Sequence, residues 1–236
     1  RINIPESKED VYNLCIKTAE MNKEAFNEDD EHRLLIDVSR GVLGIYEGIN
    51  GIHQGYNLII ADFPLKWTVQ GMGKLFTTGI NNVITNQKVI PAHLMDPKIK
   101  NRSRLFYLMA NIEASLFKGE NNWPLMLDTD GYIAEGSGDN FFIVKNNTVI
   151  SPEGRNMLRG ISRDYVMNDL CKTLNINVIE KNIEPYDVYE ADEAFICATP
   201  FCMLPVTSLN SLKIGDGKPG KVFNKLIQLW SKKTGV

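Results

Sequence analysis

Between Pro124 and Pro152 the chain reads PLMLD, TDG, YIAEGSGDNFFIV, KNN and TVISP: apolar runs rich in β-branched and aromatic residues, cut at short intervals by turn-forming residues. No helical period survives such interruptions, so the stretch predicts strands that return on themselves as a meander. Whatever else the chain forms, it must be built on a sheet. The same stretch places two acids and two glycines, AEGSGDN (134–140), directly before the apolar run FFIV. An acid in a glycine-rich turn is ordinarily solvated, and Glu135 therefore needs support from the rest of the chain before it is read as functional.

Around this block the periodicity alternates. A helix is predicted from Ser7, with acids in its first turn, followed by the strand RLLIDVSRG and, after a five-glycine segment over 41–57, the strand YNLIIADFP. The shift of composition at LKWTVQGMG predicts a small α/β domain over 1–63, a linker over 64–72 and a larger, strand-rich domain over 73–236. The larger domain is expected to open with a strand at KLFTTGINNVI and to pass through PAHLMDPKIK into a helix over 101–119. After the meander come a helix at SRDYVMNDLCKTLN, the strand INVIEKNI, an acidic segment EPYDVYEAD, the strand EAFICAT and a final helix at GKVFNKLIQLWSKKTG.

The balance of 26 basic against 29 acidic residues excludes a basic footprint for nucleic acid or anionic lipid, and 43% apolar residues over 236 suffice for a substantial core. Four scattered cysteines without C-x-x-C spacing, with three histidines, indicate neither a zinc site nor a disulfide framework. No apolar run approaches the roughly 20 residues of a membrane span. A cytoplasmic protein acting on small molecules, without nucleic-acid or membrane partners and without a metal, is expected.

Three features stand in one order: Lys100 where extended chain is expected to become helix, Glu135 in the glycine-rich turn, and LRGIS (158–162) opening a helix. The helix start presents unpaired N–H groups of Ile161 and Ser162 to an anion. The stretch EGSGDNFFIVKNNTVISPEGRNMLRGISRD resembles the signature of class IV aminotransferases, the fold-type IV pyridoxal-phosphate enzymes, and the resemblance extends over nearly the whole chain. It implies an α/β (α+β) fold of a small N-terminal domain and a pseudo-barrel domain, working as a homodimer. It also implies pyridoxal 5'-phosphate as cofactor: Lys100, in MDPKIKN, as its covalent anchor and proton carrier, Glu135 against the pyridine nitrogen, and Asn140 five residues on. Leu158, Ile161 and Ser162 form the phosphate turn, and Thr199, in ATPFCMLPV, is a second phosphate donor. Arg33 and Arg40, in RLLIDVSRG, edge the substrate pocket.

The implied reaction moves an amino group between an amino acid, branched-chain type favoured, and a 2-oxo acid such as 2-oxoglutarate. Several positions depart from the branched-chain pattern. Pro200 lacks the N–H that those enzymes offer to the substrate carboxylate. Leu105 stands where they carry a tyrosine, and Arg104-Leu105 is similar to the lyase branch. The family's further phosphate-binding arginine lies ahead of Arg1, so the small domain is expected to be truncated. Aminodeoxychorismate lyase and D-amino-acid aminotransferase are the alternatives within the family, and a non-catalytic ligand-binding remnant is the alternative outside it. Lys98 is read as a surface residue, Arg40 equally as a cap on nearby carbonyls, and Arg163 with Asp164 as a structural pair.

Overall fold

The computed structural model describes residues 4–235, so Arg1 falls outside the described residues. The chain divides into two compact units, Arg1–Gly71 and Met72–Val236. In the first, α1 (Lys8–Asn22) starts at Ser7, whose hydroxyl accepts from the Asp10 N–H at 3.1 Å while the Asp10 carboxylate accepts from the Ser7 N–H at 2.9 Å. This reciprocal cap satisfies two of the donors that a helix start leaves open. Strands β1 (His32–Ser39) and β2 (Asn57–Pro64) pair antiparallel over their whole length. Within the segment expected to be a linker, Lys66–Val69 form a helical turn, α2. The Leu65 N–H donates to Glu31 O at 2.8 Å and the Lys66 ammonium pairs with Asp30 at 2.7 Å, which ties α2 to the first unit.

The second unit begins with the turn α3 (Leu75–Thr78) and β3 (Ile80–Ile84). A strand was expected across both. The hydroxyls of Thr77 and Thr78 instead bond back to Lys74 O, and Gly79 at φ 74° ends the turn before β3 starts. Next come α4 (Leu105–Ser115) and the strands β4 (Asn122–Leu127), β5 (Ile133–Gly136), β6 (Asn140–Lys145) and β7 (Thr148–Pro152). The chain then enters α5 (Ile161–Asp164), whose winding continues through a π-helical segment, Tyr165–Leu170, into α6 (Cys171–Thr173). After β8 (Asn177–Lys181), part of the acidic segment EPYDVYEAD folds as α7 (Pro185–Tyr189). Its acids are the reason: Asp187 accepts from the Glu184 N–H at 2.9 Å, and Pro185 occupies the first turn. Strands β9 (Glu193–Ala198), β10 (Cys202–Leu209) and β11 (Leu212–Lys213) and helix α8 (Lys221–Thr234) complete the unit.

The meander is present as antiparallel β4–β5–β6–β7. The sheet does not stay open, because β9 pairs with both β6 and β10 and so closes the ring β3–β4–β5–β6–β9–β10 into a barrel. Closure leaves the ring without free edges. Against one side of the barrel lies the main core, where Phe142 and Phe195 stack at 4.9 Å between centroids and Phe223, Leu226 and Trp230 of α8 are buried. Glu193 starts α8 by accepting from the N–H groups of Val222 and Phe223, each at 2.9 Å.

Candidate active site

Strands β5 (IAEG) and β6 (NFFIVK) are buried at nearly every position in the barrel wall, and their junction brings the acids inside. Glu135 is not in the turn, as expected, but in β5, 4% exposed and paired in register with Asn140 of β6. The turn proper is Ser137-Gly138-Asp139. Lys100 is likewise displaced from its expected setting: the helix starts only at Leu105, and Lys100 lies in the irregular segment of turns before it. Lys98, exposed, pairs with Asp96 at 2.9 Å.

Lys100, Arg104, Tyr107, Glu135 and Leu158 line one cavity, with Val89 and Phe106 as apolar wall. Both carboxylate oxygens of Glu135 are engaged. The Tyr107 hydroxyl donates to Oε1 at 2.7 Å and the Leu158 N–H donates to Oε2 at 3.1 Å. Burial pushes the Glu135 carboxyl up to about 7, against the pull of those two donors and of Lys100 and Arg104. Withdrawal from water, then the nearby Arg104 and Arg102, hold the Lys100 ammonium below the ordinary lysine value, while Glu135 pulls it upward. Burial and Glu135 together raise the Tyr107 hydroxyl well above its usual value, so it remains a donor.

Arg104 caps no helix N–H. Its guanidinium donates to Ser137 O at 2.8 Å and sits 4.9 Å from the centre of the Tyr107 ring, which straps the glycine turn to the start of α4. On the other side Asn140 donates to Leu158 O at 2.8 Å. A Cβ on Gly160 would lie 2.4 Å from Asn140 Oδ1, so this turn admits only glycine without rearrangement. No side chain caps the helix that follows; Ile161 is 88% exposed and Ser162 half-buried. Antiparallel pairing of Asn140 with Cys197 puts Thr199, exposed in the turn after β9, at the same end of the sheet, and Pro200 follows it half-buried.

The structure thus gathers Lys100, Glu135, Asn140, Leu158 and the start of α5, with Thr199 at the same sheet end. Arg33 and Arg40 belong to the first unit. Arg33 bonds to Thr68 and lies 5.2 Å from the Phe63 ring centre, whereas Arg40 is exposed just past β1. Arg163 is buried and pairs with Glu180 at 3.1 Å and with Ser151 at 2.9 Å, not with Asp164, which accepts from Asn168. Leu105 is 67% exposed. The tyrosine of the cavity is Tyr107, which the sequence reading missed; its signal was the spacing of 104 and 107, one helical turn apart beside Lys100.

A closed barrel that carries a lysine and a buried, doubly bonded carboxylate on one cavity, beside an open helix start, defines a site for amino-group chemistry on an anionic cofactor. Residues 1–209 match the family Amino-transferase class IV, and the chain belongs to that family. A putative branched-chain-amino-acid aminotransferase of Methanocaldococcus jannaschii is 30% identical over 226 residues, covering 95% of this chain and 73% of that protein. The crystal structure of Escherichia coli branched-chain amino acid aminotransferase superposes with a TM-score of 0.83 at 26% identity, over 98% of this chain and 73% of that one. A T.th. branched-chain amino acid aminotransferase complexed with N-(5'-phosphopyridoxyl)-L-glutamate gives 0.79 at 26% identity, over 100% of this chain and 74% of that one.

Proposed function

We propose that this protein transfers amino groups between an amino acid of the branched-chain class and a 2-oxo acid, with pyridoxal 5'-phosphate as cofactor. The observation that carries the reading is the cavity shared by Lys100, Tyr107 and Glu135, whose wall runs through Leu158 to an uncapped helix start. The names of the relatives support the donor class. The glutamate adduct in the T.th. complex supports glutamate and 2-oxoglutarate as the second pair.

The donor set suits the cofactor, since a glycine turn kept clear of Cβ atoms leaves the N–H groups of Ile161 and Ser162 open to a phosphate, with the Thr199 hydroxyl as a further donor. When bound, pyridoxal 5'-phosphate supplies a carbonyl for the amino group and an electron-poor ring for the pair left at the substrate Cα. Lys100 would anchor it and then move the proton at Cα, a role helped by an amine held below its usual basicity. Glu135, whose anionic form the Tyr107 hydroxyl and the Leu158 N–H favour against the effect of burial, would hold the ring nitrogen protonated. Asn140 fixes Leu158 and so the spacing between carboxylate and phosphate turn. Arg33 and Arg40 are the proposed grips for the substrate carboxylate, since Pro200 has no N–H to give.

Borohydride reduction followed by peptide mapping tests the assignment: label on Lys100 is expected, and label on Lys98 would overturn it. A panel of L- and D-amino acids with 2-oxoglutarate separates the branches, and release of pyruvate from aminodeoxychorismate without an acceptor would identify a lyase. The exposed side of α4 shows Leu105, Leu108, Met109, Ile112 and Leu116 at helical spacing. Such an apolar stripe supports a homodimer, with a second copy covering it. Among the described residues no helix is long and apolar enough to cross a membrane, and all four cysteines are free, which supports a reducing, cytoplasmic setting.

A further inference from the structure

Asp139, next to Asn140 at the end of the glycine turn, is 8% exposed, and its Oδ1 has no hydrogen-bond partner. Its carboxyl folds back over the residue that follows Glu135: a Cβ on Gly136 would lie 2.3 Å from Oδ1 and 2.6 Å from Oδ2. Two carboxyls are therefore buried on one short hairpin, and their surroundings differ. Glu135 receives a phenol O–H and a backbone N–H and feels Lys100 and Arg104, whereas Asp139 receives only the Gly138 N–H. Two like charges so placed cannot both be anionic at low cost, and the proton goes to the carboxyl with fewer donors.

We propose that Asp139 is a positioning residue that retains its proton at neutral pH and so leaves Glu135 the one anionic carboxylate of the hairpin. The inference rests on the reading of Glu135 as the carboxylate of the amino-transfer site. The titratable and charged groups around Asp139 are Glu135 on β5, Cys197 on β9, Tyr107 on α4, and Arg104, which reaches the turn between them. Cys197 is held as a neutral thiol by burial and Tyr107 as a neutral phenol, so Glu135 is the charge that opposes ionisation of Asp139.

Infrared difference spectroscopy of the cofactor-free protein reads the proposal without any turnover. A protonated carboxylic-acid carbonyl band is expected at neutral pH, shifting when aspartate carboxyls, but not glutamate carboxyls, are labelled with carbon-13. Asp139→Asn should remove the band. Glu135→Gln should keep it and lower the pH at which it bleaches, because the opposing charge is gone. Absence of the band, or a shift on glutamate labelling instead, overturns the proposal; the labelling needs no variant and holds if Asp139→Asn fails to fold. Should the protein show the aspartate band yet neither bind pyridoxal 5'-phosphate nor transaminate, the functional reading fails while the proton assignment stands.

Discussion

The Tyr107 hydroxyl meets Oε1 of Glu135 at 2.7 Å, so a residue on α4 fixes the orientation and the charge of a carboxylate on β5. Hydrogen bonds to charged groups contribute about 1.5–3 kcal/mol, and removing this donor leaves a buried anion with fewer partners. Tyr107→Phe should therefore raise the Glu135 pKa further and move the acid limb of the single-turnover pH profile upward by about a unit or more. An unchanged limb would show that the bond does not set the charge.

Lys100 and Lys98 offer an internal comparison. Both are exposed, but Lys98 is paired with Asp96, whereas partial withdrawal from water and the neighbouring Arg104 hold Lys100 below ordinary lysine basicity. In the cofactor-free protein an amine-acylating reagent should modify Lys100 at lower pH than Lys98. Peptide mapping across a pH series gives the order, and equal profiles would contradict it.

Gly160→Ala should disturb the phosphate turn through Asn140, since the new Cβ would lie 2.4 Å from its Oδ1. Overpacking of this kind costs about 1–3 kcal/mol. Thermal unfolding should show that loss, and titration with pyridoxal 5'-phosphate should show weaker binding because the Asn140 bond to Leu158 O is disturbed with it.

The burial of Asp139 has a consequence for stability. Unfolded, an aspartate ionises near pH 4, whereas the folded carboxyl keeps its proton up to about 7. The folded state thus binds more protons in that window, and the associated stability is full below pH 4 and lost as the pH rises to about 7. Asp139→Asn removes that group from the balance, so its stability should fall less between those limits, by about 1.4 kcal/mol per pH unit at most. Denaturant melts at pH 4, 5.5 and 7 compare the slopes; identical slopes would exclude a proton held by Asp139.

Leu108 and Ile112 are 54% and 48% exposed on α4. Leu108→Arg with Ile112→Arg should lower the sedimentation-derived mass from dimer to monomer while circular dichroism stays unchanged. A wild-type monomer at micromolar concentration would overturn the proposed homodimer.

The turns and apolar runs of 124–152 determined the meander by themselves, because strand alternation and turn chemistry act over a few residues. The resemblance of MDPKIKN, EGSGDN and LRGIS to the class IV pattern likewise marked Lys100, Glu135, Asn140 and the helix start in the chain. What the linear order does not contain is which distant segments meet. Closure of the barrel depends on β9 pairing with β6 and β10 at once, and only that closure takes Glu135 from a turn exposed to water into a wall 4% exposed. The partners that then set its charge, Tyr107 at 28 residues and Leu158 at 23, are brought to it by packing of α4 and of the loop after β7. A carboxyl's pKa follows from its donors and its burial, both properties of the assembled fold. Thus the sequence determined which residues were available for the chemistry, and the tertiary structure decided that Glu135 has a phenol O–H and a backbone N–H for its charge while Asp139 has the Gly138 N–H alone.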